Sequence, residues 1–127
     1  MNENKRIVMD IDGVLAKKDD GEYLDKEVDE AILEQLRQYE REGFYIIPNT
    51  ARNMRTHKGR IGKINAETAP VLLEWLDKKE VPYDEIHYDK PWCGHEGFYV
   101  DDKALRPSEF LSMEHEEIQA MLEEEER

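Results

Sequence analysis

The chain lacks most of what would mark an exported, membrane-bound or polyanion-wrapping protein. It has one cysteine, Cys93, so no internal disulfide can form and a reducing, cytoplasmic setting is expected. No apolar run approaches the roughly 20 residues a membrane span needs. The polar start MNENKR offers no signal-peptide core. Cations are scarce: 18 Lys+Arg stand against 31 Asp+Glu, and the formal charge of −13 opposes any broad embrace of nucleic acid or an anionic membrane. Apolar residues make up 39% of the 127 positions, the lean end of globular usage. They are clustered and periodic rather than scattered, which argues against disorder. A single domain spanning 1–127 is therefore expected, and at this length it can bury about two thirds of its unfolded surface.

The charge is unevenly spread. Residues 114–127 (EHEEIQAMLEEEER) carry seven Glu and one Arg, a local charge of −6 that reads as a solvated helical tail. Residues 51–63 (ARNMRTHKGRIGK) are the opposite, a +5 island holding Arg52, Arg55, Lys58, Arg60 and Lys63 without one acid. No aromatic residue is interleaved there to stack on bases, so the island suits a small anion better than a nucleic acid.

Pattern and punctuation divide the chain into alternating elements. Ile7-Val8-Met9 reads as a short buried strand, and Asp20-Gly21 as a tight hairpin turn. Val28, Ile32, Leu36 and Tyr39 define one face of a helix over 26–42, stopped by Gly43. Phe44–Ile47 is a second strand. A helix over about 65–79 follows the basic loop, with Thr68 as its cap and Pro70 in its first turn. Short strands are expected at 85–88 and 97–100, then helix over 107–126 with a break near Ser112. Such alternation argues for a doubly wound, Rossmann-like α/β domain with a parallel sheet, whose ligands bind at the carboxyl ends of the strands.

The residues at those strand ends share one chemistry. Asp10 and Asp12 follow the first strand, Thr50 and Arg52 the second, Lys90 the third, and Asp101-Asp102 the fourth. Four carboxylates brought together repel one another unless a cation lies between them, and Mg²⁺ is the natural hard ion for oxygen ligands. A hydroxyl and an ammonium beside such an ion suit a phosphoryl group. An EF-hand is excluded, because the later ligands of that loop are missing. Cys93, His57, His87 and His95 lack the paired spacing of a zinc site.

These residues resemble a known family. IVMDIDGVL is similar to motif I of the haloacid dehalogenase (HAD) superfamily, an apolar strand followed by Asp-x-Asp-Gly. Thr50 in NTAR, Lys90 in KPW and FYVDD match its motifs II, III and IV in order. The blocks TARNMRTHKGRIGKINAETAP and KPWCGHEGFYVDDKALRPSEF further resemble the small capsular-polysaccharide-biosynthesis phosphatases of that superfamily. The resemblance implies a Mg²⁺-dependent phosphomonoester hydrolase with a HAD-like core. Asp10 would be the nucleophile, forming an aspartyl-phosphate, and Asp12 the acid and then the base. Thr50 and Lys90 would bind the phosphoryl group, while Asp10, Asp12, Asp101 and Asp102 would hold the metal.

The gaps between these motifs are too short for the cap domain many relatives carry. The site is then open to a large substrate, or to a lid from a neighbouring subunit in a homo-oligomer. Arg52, Lys63, Arg60 and His95 are the candidate substrate contacts. A small phosphorylated metabolite, such as a sugar phosphate, is the expected substrate. The alternatives are a nucleotide or nucleic-acid-end phosphatase and a non-catalytic phospho-ligand binding module. No membrane partner is expected.

Overall fold

The computed structural model describes residues 4–18, 23–52 and 57–125, so the Asp20-Gly21 hairpin and Arg55 lie outside the described residues. The chain gathers into two compact units, Met1–Trp92 and Cys93–Arg127. It is a mixed helix-and-strand fold with a small parallel sheet. Among the described residues no helix is long and apolar enough to cross a membrane.

In the first unit, β1 (Arg6–Asp10) pairs in parallel with β2 (Tyr45–Asn49), with Val8 opposite Ile47 and Asp10 opposite Asn49. The connection between them contains α1 (Glu30–Arg41), whose buried stripe is Ile32, Leu33, Leu36 and Tyr39. This helix begins later than the apolar pattern predicts, for two local reasons. Val28 forms a bridge with Ala16, and the Asp29 carboxylate accepts the Ala31 and Ile32 N–H groups at 3.1 Å, an N-cap that fixes the start.

A third segment, residues 84–90, runs along the far side of β2. Asp84 and His87 donate their N–H groups to the Ile46 and Pro48 carbonyls, and Thr50 N–H donates to the His87 carbonyl. The expected strand at 85–88 is reduced here to a single parallel bridge, Asn49 to His87. Pro48 explains why: it faces this side of β2 but has no N–H to give the ladder.

The helix expected over 65–79 starts earlier, as α2 (Ile61–Lys63), and continues through one wide π-helical turn (Ile64–Thr68) into α3 (Ala69–Lys78). In that turn Ala69 N–H reaches back to the Ile64 carbonyl. A Pro70 ring would otherwise meet the carbonyl of the preceding turn, so the widening lets the helix run through the proline. Thr68 consequently makes no side-chain cap. Trp75, Leu72 and Leu76 of α3 are fully buried, and the Trp75 indole N–H donates to the Lys26 carbonyl at 2.9 Å.

The second unit contains α4 (Pro107–Ser112) and α5 (His115–Glu124), separated near Ser112 as the sequence predicts. The Glu109 and Glu117 carboxylates each accept the backbone N–H three residues earlier, at Arg106 and Glu114, which sets both helix starts. Residues 97–100 form no strand, contrary to the expectation from FYV. Among the described residues this unit contains helices and no strand.

Candidate active site

The first unit brings five of the predicted residues together at the carboxyl ends of β1 and β2. Asp10 closes β1, and Lys90 Nζ lies 3.3 Å from its Oδ1. The chain then turns sharply. Gly13, at φ +87°, adopts a conformation that side-chain-bearing residues rarely take, and its N–H donates to the Ala16 carbonyl. That turn carries Asp12 back toward the end of β2. There the buried Thr50 hydroxyl donates to Asp12 Oδ2 at 2.8 Å and accepts the Arg52 N–H at 2.9 Å.

Arg52 completes the arrangement. Its Nη2 donates to Asp12 Oδ1 at 2.7 Å, and its guanidinium stacks 3.9 Å from the centre of the Tyr23 ring. The side chain is 2% exposed, and its Nε and Nη1 find no hydrogen-bond partner among the described residues. Buried donors left unpaired beside a carboxylate are suited to an anion. Burial pushes the Asp10 carboxyl above its ordinary pKa. The nearby Lys90 ammonium pulls it down without cancelling the burial, and the Asp12 charge adds to the rise.

A groove of about 570 Å³ opens beside the pair, lined by Arg6, Val8, Ile47, His87, Lys90 and Pro91 among others. Its wall is ordered by Glu85, which accepts the Tyr45 hydroxyl at 2.6 Å and contacts His87 Nε2 at 2.8 Å. The Tyr45 hydroxyl bond, then the His87 contact, hold the Glu85 carboxyl below its usual range; the same bond raises Tyr45.

The remaining predicted residues divide between the two units. Lys63 Nζ lies 3.3 Å from Glu67 Oε1, and Arg60 Nε donates to the His57 carbonyl at 3.3 Å, so part of the basic island is engaged locally. His95, Asp101 and Asp102 belong to the second unit and are exposed. Lys103 N–H donates to Asp101 Oδ1 at 2.8 Å. Among the described residues no three His, Cys, Asp or Glu side chains gather where they could hold one metal ion. Asp10 and Asp12 have Lys90 and Arg52 as their counter-charges instead. Two carboxylates still meet the minimum for Mg²⁺, which commonly keeps its waters and takes one or two protein carboxylates plus substrate oxygens.

Sequence reasoning missed Tyr23 and the Tyr45–Glu85–His87 wall. An aromatic beside the Asp20-Gly21 turn gives no local hint that an arginine from after β2 will stack on it.

No protein-family model and no curated protein matches the chain. Among solved structures it is similar to the crystal structure of a target protein from Vibrio cholerae, with 52% identity and a TM-score of 0.92. The match covers 96% of this chain and 99% of that one. The chain belongs to the same family as that Vibrio cholerae protein.

Proposed function

We propose that the chain is a Mg²⁺-dependent phosphomonoester hydrolase of the haloacid dehalogenase type, with a doubly wound, uncapped core. Its substrate is a small phosphorylated metabolite, a sugar phosphate of polysaccharide biosynthesis by resemblance, and its setting is the cytoplasm. The observation that carries this reading is the pairing of Asp10 and Asp12 at one strand end, each with its own cation, Lys90 at 3.3 Å and Arg52 at 2.7 Å.

The chemistry follows from those residues. An Asp10 carboxylate oxygen attacks phosphorus in line, forming an aspartyl-phosphate as the bond to the leaving oxygen breaks. Asp12 gives its proton to that leaving oxygen, then takes one from the water that attacks the intermediate and releases phosphate. A carboxylate has about four lone-pair sites, so each Asp12 oxygen keeps one beyond its bond to Thr50 or Arg52. Lys90 and the unpaired Arg52 donors neutralise the transferring group. Asp10 and Asp12 would hold Mg²⁺, which would supply charge neutralisation of the phosphoryl oxygens. The open groove admits the non-reacting part of the substrate.

An assay on a generic aryl phosphate tests the reading, with and without chelator. Hydrolysis that is lost on chelation, restored by Mg²⁺ and absent in Asp10→Asn is expected. Activity that survives both treatments contradicts it. A panel of sugar phosphates against nucleotides and phosphorylated oligonucleotides then decides the substrate class.

A further inference from the structure

Asp12 sits in a closed circuit of contacts. The Thr50 hydroxyl bonds one of its carboxylate oxygens and Arg52 Nη2 the other, while the Arg52 N–H donates back to the same hydroxyl. The backbone of Arg52 is thereby fixed, but its guanidinium has a bond at Nη2 alone among the described residues. One bond lets a planar group pivot; its orientation is set only when its face is held as well.

Tyr23 holds that face. Its ring centre lies 3.9 Å from Arg52 Cζ. Guanidinium N–H bonds lie in the plane of the group, so a ring stacked on the face takes none of them. Asp12 accepts from Nη2, and the buried Nε and Nη1 are left without acceptors. Burying them in that state costs free energy, which an oxyanion in their plane would offset.

The ring stands on a braced support. Tyr23–Asp25 is a single 3₁₀ turn that buries none of its residues. The chain around it is tied to α3: the Trp75 indole N–H donates to the Lys26 carbonyl at 2.9 Å, and Lys78 Nζ to the Leu24 carbonyl at 3.5 Å. Lys17 N–H donates to the Glu27 carbonyl just beyond. Lys26 Nζ lies 6.0 Å from the same ring, so Tyr23 meets two cations and contributes no buried core residue.

We infer that Tyr23 is a positioning residue that acts through Arg52. Its ring fixes the tilt of the guanidinium, so that Asp12 stays aligned for proton transfer and the two unbonded donors stay aimed at the oxyanion of a bound ligand. The catalytic half of this inference rests on the phosphatase reading given above; the hold on Arg52 does not.

Arg52 can be followed directly. Buried and held, its Nε–H gives a sharp side-chain signal in a proton–nitrogen correlation spectrum, identified by its loss in Arg52→Lys. Tyr23→Leu and Tyr23→Gln remove the ring and should broaden or abolish that signal, while Tyr23→Phe keeps it. A folding defect in one ring-free variant leaves the other decisive. Inorganic phosphate should shift the signal in the wild type. A signal indifferent to loss of the ring overturns the hold, and one indifferent to saturating inorganic phosphate overturns the aim at an oxyanion.

Turnover then separates positioning from packing. Tyr23→Leu should lower kcat by about 10- to 30-fold, the weight of a desolvated cation–π contact, and Tyr23→Phe should restore most of it. In an Arg52→Met background the same Tyr23→Leu change should cost less than about twofold, because the residue through which Tyr23 acts is gone. Equal losses in both backgrounds mean that Tyr23 works independently of Arg52 and overturn the inference. If the wild type hydrolyses no phosphate ester, the phosphatase reading falls, while the spectrum still decides the hold.

Discussion

Lys90 Nζ stands 3.3 Å from Asp10 Oδ1, yet burial raises the Asp10 carboxyl more than this ammonium lowers it. The site thus makes ionisation of this carboxyl less favourable than it is in water. Strain of this kind concentrates at sites where the charge is needed for chemistry.

The sign of the effect on stability follows. A carboxyl whose folded pKa lies above its unfolded value contributes stability below the unfolded value and loses it as pH rises through the folded one. Wild type should therefore lose stability as pH climbs above 3.8, the ordinary value for this group, and Asp10→Asn should not lose that part. Thermal melts are expected to show Asp10→Asn with the higher midpoint at neutral pH, the difference closing below pH 3.8. A variant less stable than wild type at neutral pH would contradict the account.

In the proposed mechanism Asp12 serves two steps that respond differently to its loss. Asp12→Asn should slow turnover by about 10²–10⁴-fold, the usual weight of general acid–base catalysis. With an aryl phosphate whose leaving group needs no proton, attack by Asp10 should persist while hydrolysis of the intermediate stalls. A burst of one leaving group per site followed by slow turnover is the expected trace. Equal slowing of both phases would mean that Asp12 is not the base.

In the proposed site Arg52 is held at a cost to stability. Its guanidinium is 2% exposed and two of its nitrogens lack partners among the described residues, whereas Asp12 is 39% exposed and can be rehydrated when left alone. Arg52→Met should keep or raise the melting midpoint, because an apolar chain removes buried unpaired donors without stranding a buried charge. Turnover should fall, since Asp12 loses the bond that orients it. A large drop in midpoint with turnover unchanged would reverse this assignment.

The legible part of the fold is the part set by local signals. The 3.6-residue stripe of α1 and the end of β1 at Asp10 are readable from a few neighbouring residues, whereas the Asp29 cap that delays the helix start is not among the signals read. Asp10, Thr50 and Lys90 meet because a parallel sheet aligns its carboxyl ends. What stayed hidden depends on which side of a strand a residue faces. Pro48 is plain in the sequence, but its missing N–H matters only because it faces 84–90 and not β1. The segment FYV reads as β-favouring, yet no strand forms at 97–100. The Arg52–Tyr23 stack joins two loops and leaves no periodic trace.

The groove wall has its own pH dependence, opposite in sign to that of Asp10. Glu85 is held below its usual range chiefly by the Tyr45 hydroxyl, so its contribution is present above 4.5 and lost as pH falls through the lowered folded value. Tyr45 is raised above 10.0, so the same bond is lost again as pH rises through that range. Tyr45→Phe should lower the melting midpoint at neutral pH, with the gap to wild type narrowing at both extremes. A gap constant with pH would assign the loss to packing alone.

The central claim is that Asp10 becomes phosphorylated during turnover. Rapid quenching of the enzyme with radiolabelled aryl phosphate and Mg²⁺ tests it most directly, followed by mapping of the label. The account predicts a hydroxylamine-labile phosphate on the peptide containing Asp10, absent in Asp10→Asn and accumulating in Asp12→Asn. Hydrolysis at full rate with no label on the chain, or label on any other residue, would contradict it.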